Sequence, residues 1–437
     1  MSAAYYIFAF NINNSRFIMY RMIYADSRGC FYDHPGLLAL GRTGDMFVEP
    51  EDGDMEELPE GATLVMIPGG HPAGMDRKGK FVLMERDRSG DPVFAVGALL
   101  PQGYTRTLLP AYRRKGSDKP LPLFGYAAVA WRRGKPYVAA LRTDDPYRWN
   151  PRHYNTARLP ELIREKQKEH PENRILKQLA HCSLEYGCFT AQNIFYRRWE
   201  GGVPVSPTCN ARCIGCISLQ PSQCCPSPQS RITFSPTPGE VADIAVPHLS
   251  GTRDAIISFG QGCEGEPSLA RETVVAAIQR VRREVSAGTI NMNTNAGYTE
   301  GIREACRAGL DSIRVSIISG RQEVYNAYYR PGGYVLDDVF NSIAAARSAG
   351  VLVSLNLLLF PGLTDREEEM DALETIIRKY NINMVQLRNL NIDPDMLTGL
   401  MPPAKGEIMG VPELIKRFGQ IPGLKVGNFT HPASRTD

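Results

Sequence analysis

Three cysteines stand within eight residues in CNARCIGC: Cys209, Cys213 and Cys216. Thiolates are soft ligands, and a spacing of three and then two intervening residues lets one loop wrap one metal centre. A structural zinc site asks for four ligands, and the nearest further thiols are Cys224 and Cys225. An iron–sulfur cluster held by only three cysteines would leave one iron open to another ligand. Zinc, a cluster and plain core thiols all remain open on the spacing alone. A second stretch, SFGQGCEGEPSL (258–269), ends a strand-like run. Its Gly265, Glu266 and Pro267 predict a tight turn whose bare backbone can approach a ligand, with Glu266 available to an ammonium group.

Other candidates surround these two. Cys263, on the same loop, is a hydrogen-atom donor, a cluster ligand or a packing residue. Cys182 and Cys188 in HCSLEYGC, together with Cys224 and Cys225, are four thiols that either hold a second cluster or are simply buried. Asn295 closes TINMNTN, at a strand end where polar side chains meet ligands. Tyr328, Tyr329 and Arg330 in YNAYYRPGG predict an exposed loop offering stacking and directional donors to a substrate, or else a plain turn. IPGGHPAGMD (67–76) lacks the lysine and hydroxyl of a phosphate loop.

The elements that must position these residues change character along the chain. Up to about residue 155, short apolar runs such as YIFAF, RFIMYRMIYA, TLVMI, KFVLME, PVFAVGALL, YAAVAW and PYVAALR alternate with turns at DRSGD and RRGK. They predict a β-rich N-terminal domain. Residues 156–199 form a helical bridge broken near Pro171. From 200 to 395, six strand-then-helix repeats predict an α/β domain, a partial parallel (β/α)6 barrel of TIM-like type with its ligand sites at the carboxyl ends of the strands. Residues 396–437 are expected to cap its open end.

With 437 residues, 43% apolar and 22% charged, the chain can bury more than one core. A formal net charge of +3 gives no warrant for nucleic acid as a partner. Neither a signal-peptide pattern nor a run of membrane-spanning length is present, so the expected location is cytoplasmic, with no membrane partner. Thiols clustered in such a chain read as metal ligands or catalytic groups before disulfides.

CNARCIGC and CEGEPSL resemble the radical S-adenosylmethionine superfamily, over roughly residues 200–395. The resemblance implies that Cys209, Cys213 and Cys216 hold a 4Fe-4S cluster, whose remaining iron chelates the amino and carboxylate groups of S-adenosylmethionine. It implies that Gly265, Glu266 and Pro267 contact the methionine amino group and that Ser316 meets the ribose. LLLFPGLTD (357–365) would lie beside the adenine, and Gln386 or Arg388 would reach cofactor or substrate. Two positions depart from the family pattern: Gly215 stands where an aromatic is usual, and GCEGE replaces Gly-Gly-Glu. The implied reaction is reductive cleavage to methionine and a 5′-deoxyadenosyl radical, which takes hydrogen from a substrate carbon. A small redox protein would donate the electron. A peptide or protein is one substrate class, and a small molecule in cofactor or natural-product biosynthesis is the other. A zinc-stabilised binding protein is the non-enzymatic alternative.

Overall fold

A computed structural model describes residues 19–114, 119–121, 123–219 and 227–433. The YIFAF run, Cys224 and Cys225 lie outside the described residues. By internal packing the chain forms two compact units. The first takes the N-terminal segment up to Pro146 together with 359–370 and 389–420; the second takes 147–358, 371–388 and the segment from Ile421 on.

The first unit is built on antiparallel strands in an eleven-stranded and a three-stranded sheet. RRGK closes a hairpin between Ala127–Arg132 and Lys135–Arg142. Alternate residues Ile23, Ala25, Val96, Ala98, Ala127, Val129, Val138 and Ala140 turn inward as one apolar cluster, as period-two patterning requires. Two strands escape the sequence pattern: Phe31–Ala39 and Gly70–Asp76 carry prolines and glycines. GHPAGMD is therefore a paired strand rather than a loop, with Pro72 registered against Tyr112. Polar contacts hold the segment 389–420 in this unit, and the Gly44 N–H, which donates to the Pro361 carbonyl at 2.9 Å, holds 359–370. Arg106, fully buried and pushed down to about 9 by desolvation, donates to the Leu390 carbonyl at 2.8 Å, and its backbone N–H donates to Asn389 Oδ1 at 2.8 Å. Arg114 pairs with Asp393 at 3.0 Å and Arg42 with Asp395 at 2.7 Å.

In the second unit three helices precede the sheet: α1 (Leu159–Glu169), α2 (Arg174–Leu184) and α3 (Phe189–Tyr196). The sheet itself has seven strands in sequential order, β1 (Glu200–Gly202), β2 (Ile256–Phe259), β3 (Thr289–Thr294), β4 (Ser312–Ile317), β5 (Leu352–Leu359), β6 (Met384–Asn389) and β7 (Lys425–Gly427). Sequential order with parallel pairing demands a crossover after each strand. These are α4 (Pro238–Gly251), α5 (Arg271–Glu284), α6 (Thr299–Ala308), α7 (Gln322–Tyr329), α8 (Leu336–Ser348) and α9 (Glu367–Lys379); the chain after β6 carries α10 (Pro394–Leu400) and α11 (Val411–Gly419), which belong to the first unit. The architecture is the partial parallel barrel with a separate β-rich region. LKVGNF, expected within a cap, is instead the seventh strand, parallel to β6.

The concave side of the sheet is polar and its edges meet. Glu200 on β1 accepts from Ser258 Oγ at 2.6 Å and from Thr430 Oγ1 at 3.2 Å, just past β7. Arg314 on β4 donates to Thr430 Oγ1 at 2.8 Å and to Gln386 Oε1 at 3.1 Å, and Asn291 links Ser258 to Ser312. One chain of hydrogen bonds thus crosses the interior from first strand to last, which a flat sheet would not permit. Among the described residues no helix is long and apolar enough to cross a membrane.

The helices are tied to one another by charge. Thr237 caps α4 in a reciprocal box with Glu240, whose carboxylate also receives Arg174 of α2 at 2.7 and 2.8 Å. The Arg174 guanidinium, more than any other group, holds the Glu240 carboxyl down at about 2. A depressed carboxyl contributes stability above its unfolded value and loses it as the pH falls toward its folded one. Replacing Glu240 by Ala should lower stability at pH 7 by about 1 kcal/mol, a capping-sized effect for a solvent-screened group. The difference between variant and parent urea midpoints should shrink between about pH 4.5 and about pH 2.

Candidate active site

The thiol loop begins where β1 ends. Residues 203–208 continue from β1 and are clamped from the loop after β2 by one buried carboxylate. Glu264 accepts from the N–H groups of Val205 (2.7 Å), Ser206 (3.0 Å), Gly260 (2.6 Å) and Gln261 (2.9 Å). Burial pushes this carboxyl up to about 7, against the pull of the four donors. Next to it the Gly265 N–H donates to the Ser206 carbonyl and the Glu266 N–H to the Thr208 carbonyl, both at 2.7 Å. The approach is so close that a β-carbon on Gly265 would stand 1.9 Å from the Thr208 oxygen. Gly260, at φ +79, similarly has no room beside the Asn293 carbonyl.

Glu266 is occupied by its own turn. Its carboxylate accepts from the Ser268 N–H (3.0 Å) and hydroxyl (2.7 Å), from the Asn295 N–H (2.7 Å) and from the Thr294 hydroxyl. It is 3% exposed, and burial raises its pKa. In this structure the carboxylate caps the short helix at Pro267–Ala270 and binds the end of β3.

The cysteine loop is laid against the end of α7. Arg212 and Ile214 donate their N–H groups to the carbonyls of Tyr329 and Tyr328, both at 3.0 Å, and Gly332 donates to the Asn210 carbonyl at 2.7 Å. Asn295 Nδ2 donates to Asn210 Oδ1 at 2.7 Å, joining the same loop to β3. Tyr328 and Tyr329 are thus not on an exposed loop. They lie on the inner face of α7, each 2% exposed, in a cluster with Tyr325 and Tyr334. Burial and the nearby Cys213 raise both phenols, and Tyr329 Oη has no hydrogen-bond partner. Arg330 caps the helix at φ 47 and is exposed. Val324, Tyr325, Tyr328 and Tyr329 repeat with helical period, a signal hidden by the following Arg-Pro-Gly-Gly.

Cys209, Cys213 and Cys216 are free and partly exposed. Burial pushes the Cys209 thiol up to about 11 and raises Cys213 further. Arg231 turns one guanidinium N–H toward Cys216 Sγ at 3.7 Å and another to Ser218 Oγ at 3.1 Å. Among the described residues no three His, Cys, Asp or Glu side chains converge on a single ion. A polynuclear cluster spreads its thiolates over several irons and does not ask this of them. Three unpaired soft donors on one loop beside a fixed cation fit such a group, and their protons would leave on binding.

The remaining predicted residues divide by depth. Gln386 is fully buried and bound to Arg314 and Ser354. Arg388 donates to the Asn428 carbonyl at 2.9 Å and is lowered to about 10 by burial. Ser316 is registered with Asn356, half-buried on the concave side. Cys263 is 4% exposed and interacts with Cys182 and Cys188. Glu264, Asn210 and Thr294 organise the site and were not singled out from the sequence. The doubled glutamate in CEGEP was the available signal.

Residues 203–373 match the model described as Radical SAM superfamily. No curated protein matches this sequence. Solved structures similar to this chain include Streptococcus suis SuiB bound to precursor peptide SuiA (10% identity, 50% of this chain and 44% of that one, TM-score 0.33). HydG, a maturase of the [FeFe]-hydrogenase, matches at 16% identity over 56% of this chain and 57% of its own (TM-score 0.34). Methylornithine synthase PylB matches at 14% over 61% and 78% (TM-score 0.38). The alignment spans less than two thirds of SuiB and of HydG.

Replacing Gly265 by Ala should force the Thr208 carbonyl away and displace the cysteine loop. Iron incorporated on anaerobic reconstitution should fall to less than about half of the parent's, while the far-ultraviolet circular dichroism stays unchanged. Undiminished iron loading would mean that the close approach does not govern the loop.

Proposed function

From the match of residues 203–373 to the Radical SAM superfamily model, we propose that this chain is an enzyme that reductively cleaves S-adenosylmethionine and abstracts hydrogen from a substrate carbon. Cys209, Cys213 and Cys216 would hold a 4Fe-4S cluster. When bound, the cluster and S-adenosylmethionine would supply the electron transfer and the 5′-deoxyadenosyl radical.

The observation that carries this reading is the backbone seam between Ser206–Thr208 and Gly265–Glu266. It makes the thiol loop and the turn one rigid body, so a ligand on the loop is presented to the turn at fixed range. Since the Glu266 carboxylate is committed internally, the turn would meet an ammonium with backbone oxygens. Glu264 would keep the seam closed, and Asn295 would hold Asn210 and with it the loop. Ser316 and Asn356 would face the ribose or substrate, and Arg388 would act at the same level. The buried tyrosines of α7 would exclude water beneath the loop, with Arg330 outside it. A small redox protein would donate the electron.

The substrate is proposed to be a peptide or a small molecule. The first unit contains a cavity of about 430 Å³ lined by Arg42, Phe47, Tyr112, Arg114, Asp393 and Asp395, a volume suited to a small ligand or a few side chains of a peptide. Anaerobically reconstituted protein should be brown and, on reduction, release 5′-deoxyadenosine. C209A, C213A and C216A should each reduce that release at least about a hundredfold. A colourless protein holding one zinc would overturn the reading in favour of a metal-stabilised binding protein.

A further inference from the structure

The cavity of about 430 Å³ in the first unit is walled by two ion pairs whose polar capacity is not used up. The Arg42 side chain is 7% exposed; its Nε donates to the Gly44 carbonyl at 2.7 Å and a terminal nitrogen pairs with Asp395. Asp395 is 58% exposed, so the cation of this pair lies inside and its carboxylate at the rim. Arg114 pairs with the buried Asp393, which accepts four hydrogen bonds, from Arg114, Leu121, Asp395 and Met396. That carboxylate is fully occupied. The Arg114 Nε is not: it is buried without a hydrogen-bond partner. So is the hydroxyl of Tyr112, a residue 3% exposed on the same wall. Buried polar groups are nearly always paired, so two unmet ones on a cavity wall mark the place of a further acceptor.

The chemistry of that acceptor follows from the walls. A carboxylate accepts from guanidinium and hydroxyl groups at once and donates nothing. Asp45, Asp393 and Asp395 match Arg42, Arg113 and Arg114 in number, so one added negative charge is tolerable and a second would be left uncompensated. Phe47 supplies a flat apolar wall, stacked on Phe81 at 5.6 Å, with the Arg113 guanidinium 5.4 Å from its ring centroid. A second cavity of about 310 Å³ is lined by Phe360, Leu363, Leu397 and Met401. Asp45 lines both, in the two-residue turn between the strands Gly41–Thr43 and Met46–Val48. That turn is packed so tightly that a β-carbon on Gly362 would stand 2.0 Å from the Gly44 nitrogen. A charged chamber and an apolar one thus share one fixed wall. We infer that the two cavities bind the substrate through a single carboxylate, held by Arg42, Arg114 and Tyr112, with an apolar group of the same molecule in the second chamber. The inference rests on the proposed reading of the chain as an enzyme with a peptide or small-molecule substrate, and narrows both classes to amphipathic monocarboxylates.

The test is titration calorimetry of the whole chain, free of iron and S-adenosylmethionine, against sodium octanoate and the peptide acetyl-Leu-Gly-Gly. At least one should bind saturably with a Kd of about 1 mM or tighter, and the tighter of the two tells a free acid from a peptide carboxylate. Octanamide, the peptide's C-terminal amide and inorganic phosphate should each bind at least about tenfold more weakly than the matching or tighter carboxylate. Y112F removes a hydroxyl that has no partner, so its thermal midpoint should equal the parent's while the Kd rises about fivefold. R42Q should raise the Kd at least about tenfold; should it fail to fold, Y112F decides. No saturable binding of either carboxylate, amides or phosphate binding as tightly, or parent-like affinity in Y112F overturns the inference. Release of 5′-deoxyadenosine by the loaded enzyme is a separate measurement, so the radical reading and the carboxylate site can fail independently.

Discussion

A single buried carboxylate holds the mouth of the parallel sheet together. Glu264 collects four backbone N–H groups, two from the segment entering the cysteine loop and two from the end of β2. No neutral side chain accepts four such bonds, and each donor left unmet in the interior would cost about 1–3 kcal/mol. The seam between Thr208 and Gly265 exists because this clamp brings the two strands' extensions within backbone contact. A position of that kind is determined by structure, yet it sets where any group held by the thiols must stand. Structural and functional constraint meet in the same five residues of CEGEP.

The concave face repeats the theme at larger scale. Its polar residues are matched to each other across strands, from Glu200 through Ser258, Asn291 and Ser312, and from Thr430 through Arg314 to Gln386. A network with nearly every member satisfied is rigid, whereas residues one layer nearer the strand ends retain spare capacity, such as Asn356 with its unpartnered Oδ1. The lower layer builds the floor.

Strand β5 is legible in the sequence as the apolar run VLVSLNLLLF, whereas β3 (TINMNT) and β4 (SIRVSI) alternate polar and apolar residues, as the polar concave face requires. The capped start of α4 is equally plain in TPGE. What escaped did so for physical reasons. Phe31–Ala39 and Gly70–Asp76 contain prolines and glycines whose low strand propensity is overridden by pairing. Three-residue β7 is too short to show a period. At the site, residue types pointed to a thiol-rich loop and a turn, but not to which glutamate would be consumed by the backbone. Nor did they announce that Cys263 would group with Cys182, eighty-one positions away. Those facts depend on distances that only the folded chain defines.

Arg106 donates to the carbonyl of Leu390, 284 positions further along. A ribosome emits the chain from its N-terminus, so this guanidinium is made long before its acceptor exists. The β-rich unit, although encoded first, cannot finish until the last fifth of the polypeptide has emerged. Until then a cationic side chain destined for the interior must stay hydrated or find a temporary host. A contact across so long a stretch of chain is slow to close, because its loop entropy must be lost before the bond can form.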